Sequence, residues 1–293
     1  MEAADRGLRA ATTAADAPIY DLATAQADYP VWVGPPNRTV VLATHARSGS
    51  TLLGEAIHAA GGAGLPLEYF HRGFRPRFEA RWRTASLDTY IEAVHRFRTD
   101  PAGVFGVKLF WQDVEELACE RDSAPPSVAR RARSGDLAPA DYRDIFERMA
   151  DIIPNPTFIR LRRRDRVRQA VSAVLAGQTG HWREVPDAPR PPAKEAPAYD
   201  FERLAGQMAE ADRCNDHWTA FFSALGVQPY EVSYERVIAD YRATVESLLT
   251  VIGAADTTAR PPRLLRQSDA ASEAMVLRFL REDAARKARG TPR

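Results

Sequence analysis

Residues Thr39–Phe70 read TVVLATHARSGSTLLGEAIHAAGGAGLPLEYF, and this stretch decides the fold. Thr39–Thr44 is short, β-branched and apolar, the pattern of a strand buried on both faces of a parallel sheet. His45–Thr51 follows, crowded with small residues and hydroxyls. Leu52, Leu53, Ala56, Ile57 and Ala60 then recur at helical spacing until Gly61-Gly62 stops the run. A strand, a small-residue loop and a helix start aim backbone N–H groups and the positive end of a helix dipole at an anion. The loop lacks GxxxxGK[ST], so it is not a Walker A sequence. Its cation is Arg47, before the glycine, which suits a tetrahedral oxyanion other than the γ-phosphate of ATP. An ordinary strand–helix turn with a Ser/Thr cap would read the same way, so the loop alone does not decide function.

Outward from this stretch, β-branched or aromatic runs at Val104–Trp111, Thr157–Arg163 and Tyr230–Ser233 read as further strands. Helical periodicity marks Ser86–Arg98, Tyr142–Ile153, Asp165–Gln178, Phe201–Leu225, Tyr234–Ile252 and Ser272–Arg286. His71–Thr84 is basic and aromatic without a clean period, as in a loop or lid. Ala118–Ala140 reads as an insertion, and the proline-rich 184–200 as an exposed loop. Strands alternating with helices predict a three-layer α/β fold, a mostly parallel sheet flanked by helices. Residues 1–37 are expected to form a partly disordered leader and arm, and 38–290 a single domain.

Composition narrows the function. Forty Lys and Arg against 39 Asp and Glu leave a net charge of +1, so no global field calls for nucleic acid. The two cysteines, Cys119 and Cys214, point to no disulfide framework, so a reducing cytoplasm is expected. No apolar run long enough to span a membrane occurs. The six histidines have no metal-ligand spacing, and no metal is assigned. Positive charge is concentrated locally. Six arginines lie within 158–168 and five within 71–83. The first cluster spans the end of a strand and the start of a helix, where open α/β sheets bind ligands. Two anion sites on one rim imply a nucleotide phosphorylated at both ends. Glu68 is a carboxylate placed to accept a proton from a substrate hydroxyl, and Lys108 is a cation near a strand end. Each also has an ordinary surface reading, a solvated glutamate and a snorkelling lysine.

ARSGSTLLGEAI, GLPLEYF, FGVKLFW, LRRRDRVRQAVS, QTGHW, EVSYERV and LLRQSDAASEAMVLRF, in that order, resemble the bacterial trehalose 2-sulfotransferase family from about Val40 to Leu280. That family belongs to the wider sulfotransferase group with a P-loop-like α/β fold. The resemblance implies that Arg47, Ser48, Gly49, Ser50 and Thr51 hold the 5′-phosphosulfate of 3′-phosphoadenosine 5′-phosphosulfate (PAPS). It gives Arg163 and Ser172 the 3′-phosphate, with Arg162 and Arg164 as alternatives for the guanidinium. Arg266 and Gln267 would close over the nucleotide, and Glu68 would be the catalytic base. Arg47 and Lys108 would stabilise the leaving phosphate. A homodimer is also implied. The sequence HRGFRPRFEARWR after Phe70 departs from the family's acceptor pattern, and its arginines raise the expectation of an anionic acceptor. Two other readings stay open: a catalytically silent nucleotide- or carbohydrate-binding module, and a nucleotide-dependent kinase.

Overall fold

The computed structural model describes residues 24–121, 137–184, 193–194, 196–254, 258–264 and 269–290. Four strands, β1 (Arg38–Thr44), β2 (Val104–Phe110), β3 (Pro156–Arg162) and β4 (Tyr230–Ser233), form a parallel sheet in the order β2-β1-β3-β4. The anion loop therefore leaves one of the two inner strands. Residues along β1 alternate between two cores, as period-2 geometry requires. Val41 and Ala43 face one core, with Phe105, Val107, Leu109 and Phe158. Val40 and Leu42 face the other, with Ile159, Leu161 and Val232.

Helices cover both faces. The first core is closed by α2 (Arg75–Trp82), α3 (Leu87–Arg98), α4 (Trp111–Glu120), α5 (Pro139–Arg148) and α7 (Phe201–Leu225). The second is closed by α1 (Ser50–Ala60), α8 (Tyr234–Ala239) and α9 (Tyr241–Val251). A smaller cluster joins α6 (Arg166–Thr179), the start of α7 and α10 (Ala270–Ala288). The expected three-layer α/β architecture is the one found.

Several elements differ from the expectation. Residues 75–82 form a helix instead of a lid, because Pro76 fits a first helical turn and Phe78 turns inward to stack on Trp82, 5.0 Å between ring centroids. Trp111 ends no strand. It opens α4, where the Asp113 carboxylate accepts from the Phe110 N–H at 2.9 Å. The single helix expected over 234–252 breaks at Asp240, whose side chain accepts from the Ala243 N–H at 3.1 Å and so caps α9. Residues from Thr24 onward pack on the body. Asp28 pairs with Arg81, and with Arg98 at 3.2 Å, while the Trp32 N–H donates to the Arg96 carbonyl. The leader before Thr24, most of the 118–140 insertion and part of the 184–200 loop lie outside the described residues.

Candidate functional site

The turn after β1 is built from inside. The Thr44 hydroxyl donates to the Leu161 carbonyl on β3 at 2.8 Å, and the Trp218 indole donates to the Thr44 carbonyl at 3.3 Å. Ser48 Oγ lies 2.6 Å from Thr44 Oγ1 and 2.7 Å from the His45 carbonyl, so its buried hydroxyl is spent inside the loop. Gln169 on α6 donates to the Ala46 carbonyl at 2.8 Å. Gly49 caps α1 with φ +88°, left-handed geometry that a side chain resists. A Cβ there would also lie 2.6 Å from the Tyr234 ring. Ser50 and Thr51 then open α1, where unsatisfied N–H groups and the helix dipole favour an anion.

The candidate second anion site lies against the first. Arg47 Nε donates to Ser172 Oγ on α6 at 2.8 Å, and Arg47 Nη1 donates to the Trp182 carbonyl. Arg163 Nη1 donates to the Arg47 carbonyl at 3.3 Å, with its guanidinium 4.5 Å from the centre of the Tyr234 ring. Arg163 faces this cavity, whereas Arg162 pairs with Glu231 at 3.1 Å and the Arg164 N–H is held by Glu235 at 3.0 Å. Arg166 and Arg168 pair with Asp212 and Glu273. Arg162, Arg166 and Arg168 are therefore engaged by carboxylates, Arg168 also lining the cavity, and Arg163 is the member bonded to the loop.

The cavity between these elements has a volume of about 440 Å³, and Arg47, Thr51, Arg163, Ser172, Trp182 and Tyr241 are among its walls. Burial, reinforced by the Arg163 charge beside it, pushes the Arg47 guanidinium down to about 10. Like charges placed this close make the cavity attractive to an anion. Arg266 and Gln267 lie outside the described residues. Among the described residues no group of three or more His, Cys, Asp or Glu side chains has the geometry to hold a metal ion.

Glu68 reaches the site by a different route. Residues 64–69 lie alongside β2: Leu67 bridges Val107 in parallel, and the Lys108 N–H donates to the Leu67 carbonyl at 2.9 Å. This approach requires glycine on both sides. Gly64 has φ +71°, and a Cβ there would sit 2.3 Å from the Gly106 nitrogen. A Cβ on Gly106 would sit 2.8 Å from the Leu65 nitrogen. The Tyr69 hydroxyl donates to the Leu65 carbonyl at 2.9 Å, and the Tyr90 hydroxyl to the Tyr69 carbonyl at 2.6 Å. Along both segments alternate residues enter the first core, Leu65, Leu67 and Tyr69 on one and Val107 and Leu109 on the other. Glu68 and Lys108 are the residues in between, so both point the other way.

There they meet. Lys108 Nζ lies 2.9 Å from Glu68 Oε1 and 3.4 Å from Thr51 Oγ1, joining the carboxylate to the start of α1. Burial pushes the Glu68 carboxyl up, but the Lys108 ammonium, with His71 and Arg183, outweighs it and holds the group below its usual value. Glu68 is therefore a carboxylate at neutral pH despite its burial.

Sequence reasoning missed Tyr234, Gln169 and Trp182 as parts of the site. Each lay in a quoted motif, and only the fold shows that it packs against the loop. Several arginines of 71–83 have carboxylate partners. Arg75 pairs with Glu79 at 2.7 Å and Glu120 at 2.5 Å, and Arg81 with Asp28. Arg72 also lies 4.0 Å from Glu116, so three of the five have protein carboxylates as partners.

Comparison with known proteins agrees with this geometry. The Stf0 sulphotransferase profile matches residues 39–283. The chain is similar to the trehalose 2-sulfotransferase of Mycobacterium tuberculosis (strain ATCC 35801 / TMC 107 / Erdman), 31% identical over 83% of this chain and 94% of the relative. It is also similar to the trehalose 2-sulfotransferase of Mycolicibacterium smegmatis (strain ATCC 700084 / mc(2)155), 29% identical over 84% of this chain and 96% of the relative. Parallel sheet, anion loop, paired carboxylate and family match converge: the chain belongs to the Stf0 sulphotransferase family and is a sulfotransferase enzyme.

Proposed function

We propose that the enzyme transfers the sulfuryl group of PAPS to a hydroxyl of a carbohydrate, with Glu68 as general base. The observation that carries this reading is the Glu68–Lys108–Thr51 contact, which joins a buried carboxylate to the helix start of an anion loop. The cavity is within the usual range of small-molecule sites, ~300–1,000 Å³. Its arginines at two points, Arg47 and Arg163, suit a nucleotide with phosphate at both ends. The Arg47–Thr51 loop would take the 5′ end and Arg163 with Ser172 the 3′-phosphate.

PAPS supplies an activated sulfuryl group. During transfer the bond from sulfur to the bridging phosphate oxygen breaks, and its electron pair leaves with the phosphate. The bond from the acceptor oxygen to sulfur forms as Glu68 takes the hydroxyl proton. A carboxylate held below its usual pKa is a weak base, but the hydroxyl becomes strongly acidic as its oxygen bonds to sulfur. A late proton transfer is then sufficient. Lys108 and the N–H groups of α1 face the charge that grows on the leaving phosphate, and their positions are fixed before reaction. No step needs a divalent metal.

Trehalose is the first acceptor to test, since two relatives carry it in their names. The ion pairs of Arg75 and Arg81 support a neutral acceptor over an anionic one. The test measures sulfate transfer from PAPS to trehalose, other neutral sugars and sugar phosphates by mass spectrometry, with Glu68→Gln beside wild type. The substitution is expected to lower turnover about 10²–10⁴-fold and leave 3′-phosphoadenosine 5′-phosphate (PAP) binding intact. Full activity in Glu68→Gln would refute its role as base. Binding of PAP by wild type without transfer to any acceptor would instead favour a silent binding module.

A further inference from the structure

Residues 258–264 read TARPPRL and lie against α1. Pro261 and Pro262 have no backbone N–H to donate, so the segment has little main-chain bonding open to it and depends on side chains for anchorage. Ala259 packs on the second core, and Arg263 Nε donates to Glu55 Oε1 on α1 at 2.8 Å. Glu55 is the buried member of this pair. Its side chain is 5% exposed, and its Oε2 is shielded from solvent with no hydrogen-bond partner among the described residues. Loss of its cation would strand a buried charge, so the pair counts for more than one between two exposed side chains.

The pair stands behind a wall of the large cavity. Leu52, Glu55, Ala56 and Ala59 recur at helical spacing on one face of α1 and enclose, with Tyr241, Pro262 and Arg263, a small space of about 120 Å³. Leu52, Tyr241 and Pro262 also line the cavity of about 440 Å³, as does Leu264, whereas Glu55 and Arg263 do not. Arg263 therefore sits between two residues of the cavity wall and is bonded on the far side, to α1. Ser50 and Thr51 at the start of that helix line the cavity directly. Glu55, one turn later, fixes the segment that walls its side.

We infer that Glu55 is a positioning residue for the donor nucleotide, holding 262–264 as a wall of the cavity through its ion pair with Arg263. The inference rests on the reading of that cavity as the PAPS site. Because neither side chain lines the cavity, the pair contributes to nucleotide affinity and not to the chemical step. It makes and breaks no covalent bond and moves no proton.

The test uses full-length protein with PAP as the probe. Glu55→Gln, Arg263→Met, Arg263→Lys and the double variant Glu55→Gln/Arg263→Met are compared with wild type. Calorimetric PAP binding is measured beside steady-state transfer from PAPS to the best acceptor of the screen above. If breaking the pair leaves the wall in place about one-tenth of the time, PAP affinity and the KM for PAPS worsen about tenfold while kcat at saturating PAPS stays within about twofold. Arg263→Lys should recover part of the affinity, since it keeps the charge. The double variant should bind PAP no more weakly than the weaker single, because both substitutions break one contact. Thermal midpoints without nucleotide serve as the fold control, and the Arg263 variants alter only the half-exposed partner. PAP affinity within about twofold of wild type in both Glu55→Gln and Arg263→Met would overturn the inference. So would a fall in kcat with affinity unchanged, or a double variant whose loss is the sum of the two singles. In each of these cases a wild type that binds PAP and transfers sulfate leaves the reading of the site standing. A wild type that binds no PAP overturns both.

Discussion

Lys108→Met tests whether the site depends on a buried ion pair. Lys108 is 2% exposed, and its ammonium lies 2.9 Å from a carboxylate whose side chain is 16% exposed. At an effective dielectric of ~20 that separation corresponds to a gross attraction of about 6 kcal/mol. Most of it offsets the cost of burying two charges, so the net value of the pair is small. Removal of one partner is different, because it leaves an uncompensated buried charge and costs about 3–5 kcal/mol. Methionine keeps the length and apolar volume of the lysine stem, so little of that loss is a cavity. The pH dependence gives the sign. In wild type the Glu68 carboxyl is held below its unfolded value, so its contribution is present above the usual carboxylate range and lost as pH falls through the folded value. Without Lys108, burial dominates and the carboxyl rises above its unfolded value. The variant's deficit should then be greatest at pH 7–8 and shrink toward pH 5. Denaturant unfolding of wild type, Lys108→Met, Glu68→Gln and the double variant over that range measures it. The double variant should regain about 2 kcal/mol relative to Lys108→Met. A deficit below ~1 kcal/mol at pH 7 with no pH dependence would refute the reasoning, as would a double variant no more stable than Lys108→Met.

Gly106→Ala places a methyl 2.8 Å from the Leu65 nitrogen, so the strip carrying Glu68 must move away from β2. Turnover should fall at least tenfold while PAP-induced thermal stabilisation is retained; unchanged turnover would show that the close approach does not set the base. His45 is buried, with no hydrogen-bond partner for Nδ1, and burial pushes its ring down to about 4. It stays neutral in the fold while the unfolded residue protonates below about 6.5, so stability should drop by about 3 kcal/mol between pH 6.5 and 4. His45→Phe should remove that part of the acid sensitivity in unfolding midpoints, and an identical pH slope would count against it.

The strands and the anion loop were legible because their signals are local. Runs such as Val40–Leu42 and Val104–Phe105 leave a buried parallel strand few alternatives, and small residues at 48–50 suit a tight loop. Glu68 and Lys108 were legible as candidates but not as a pair. Their meeting depends on the contact of Gly64 with Gly106 across 42 positions, which no periodicity encodes. The alternation in Leu65-Pro-Leu-Glu-Tyr69 and Val107-Lys-Leu109 was the usable sign, since each charge sits where a core residue would otherwise be absent. The partners of the arginines of 71–83 were not legible, because charge composition does not reveal them: Asp28 and Glu120 come from distant segments. Helix α2 was hidden for a related reason, since only Phe78 of its eight residues is fully buried and its remaining surface is largely charged.

The strip beside β2 also sets the order in which the enzyme fails. The strip carrying Glu68 is tied to β2 through one main-chain bridge and the Lys108 ion pair, and to α3 through the Tyr90 hydroxyl, whereas the anion loop leaves a strand paired on both sides. An edge held this way opens at lower free energy than the central sheet. In mild denaturant the strip should peel first, carrying the proposed base away from an intact candidate nucleotide cavity. On the proposed reading, the enzyme would then pass through a range of conditions in which it captures its donor as firmly as before and does nothing with it.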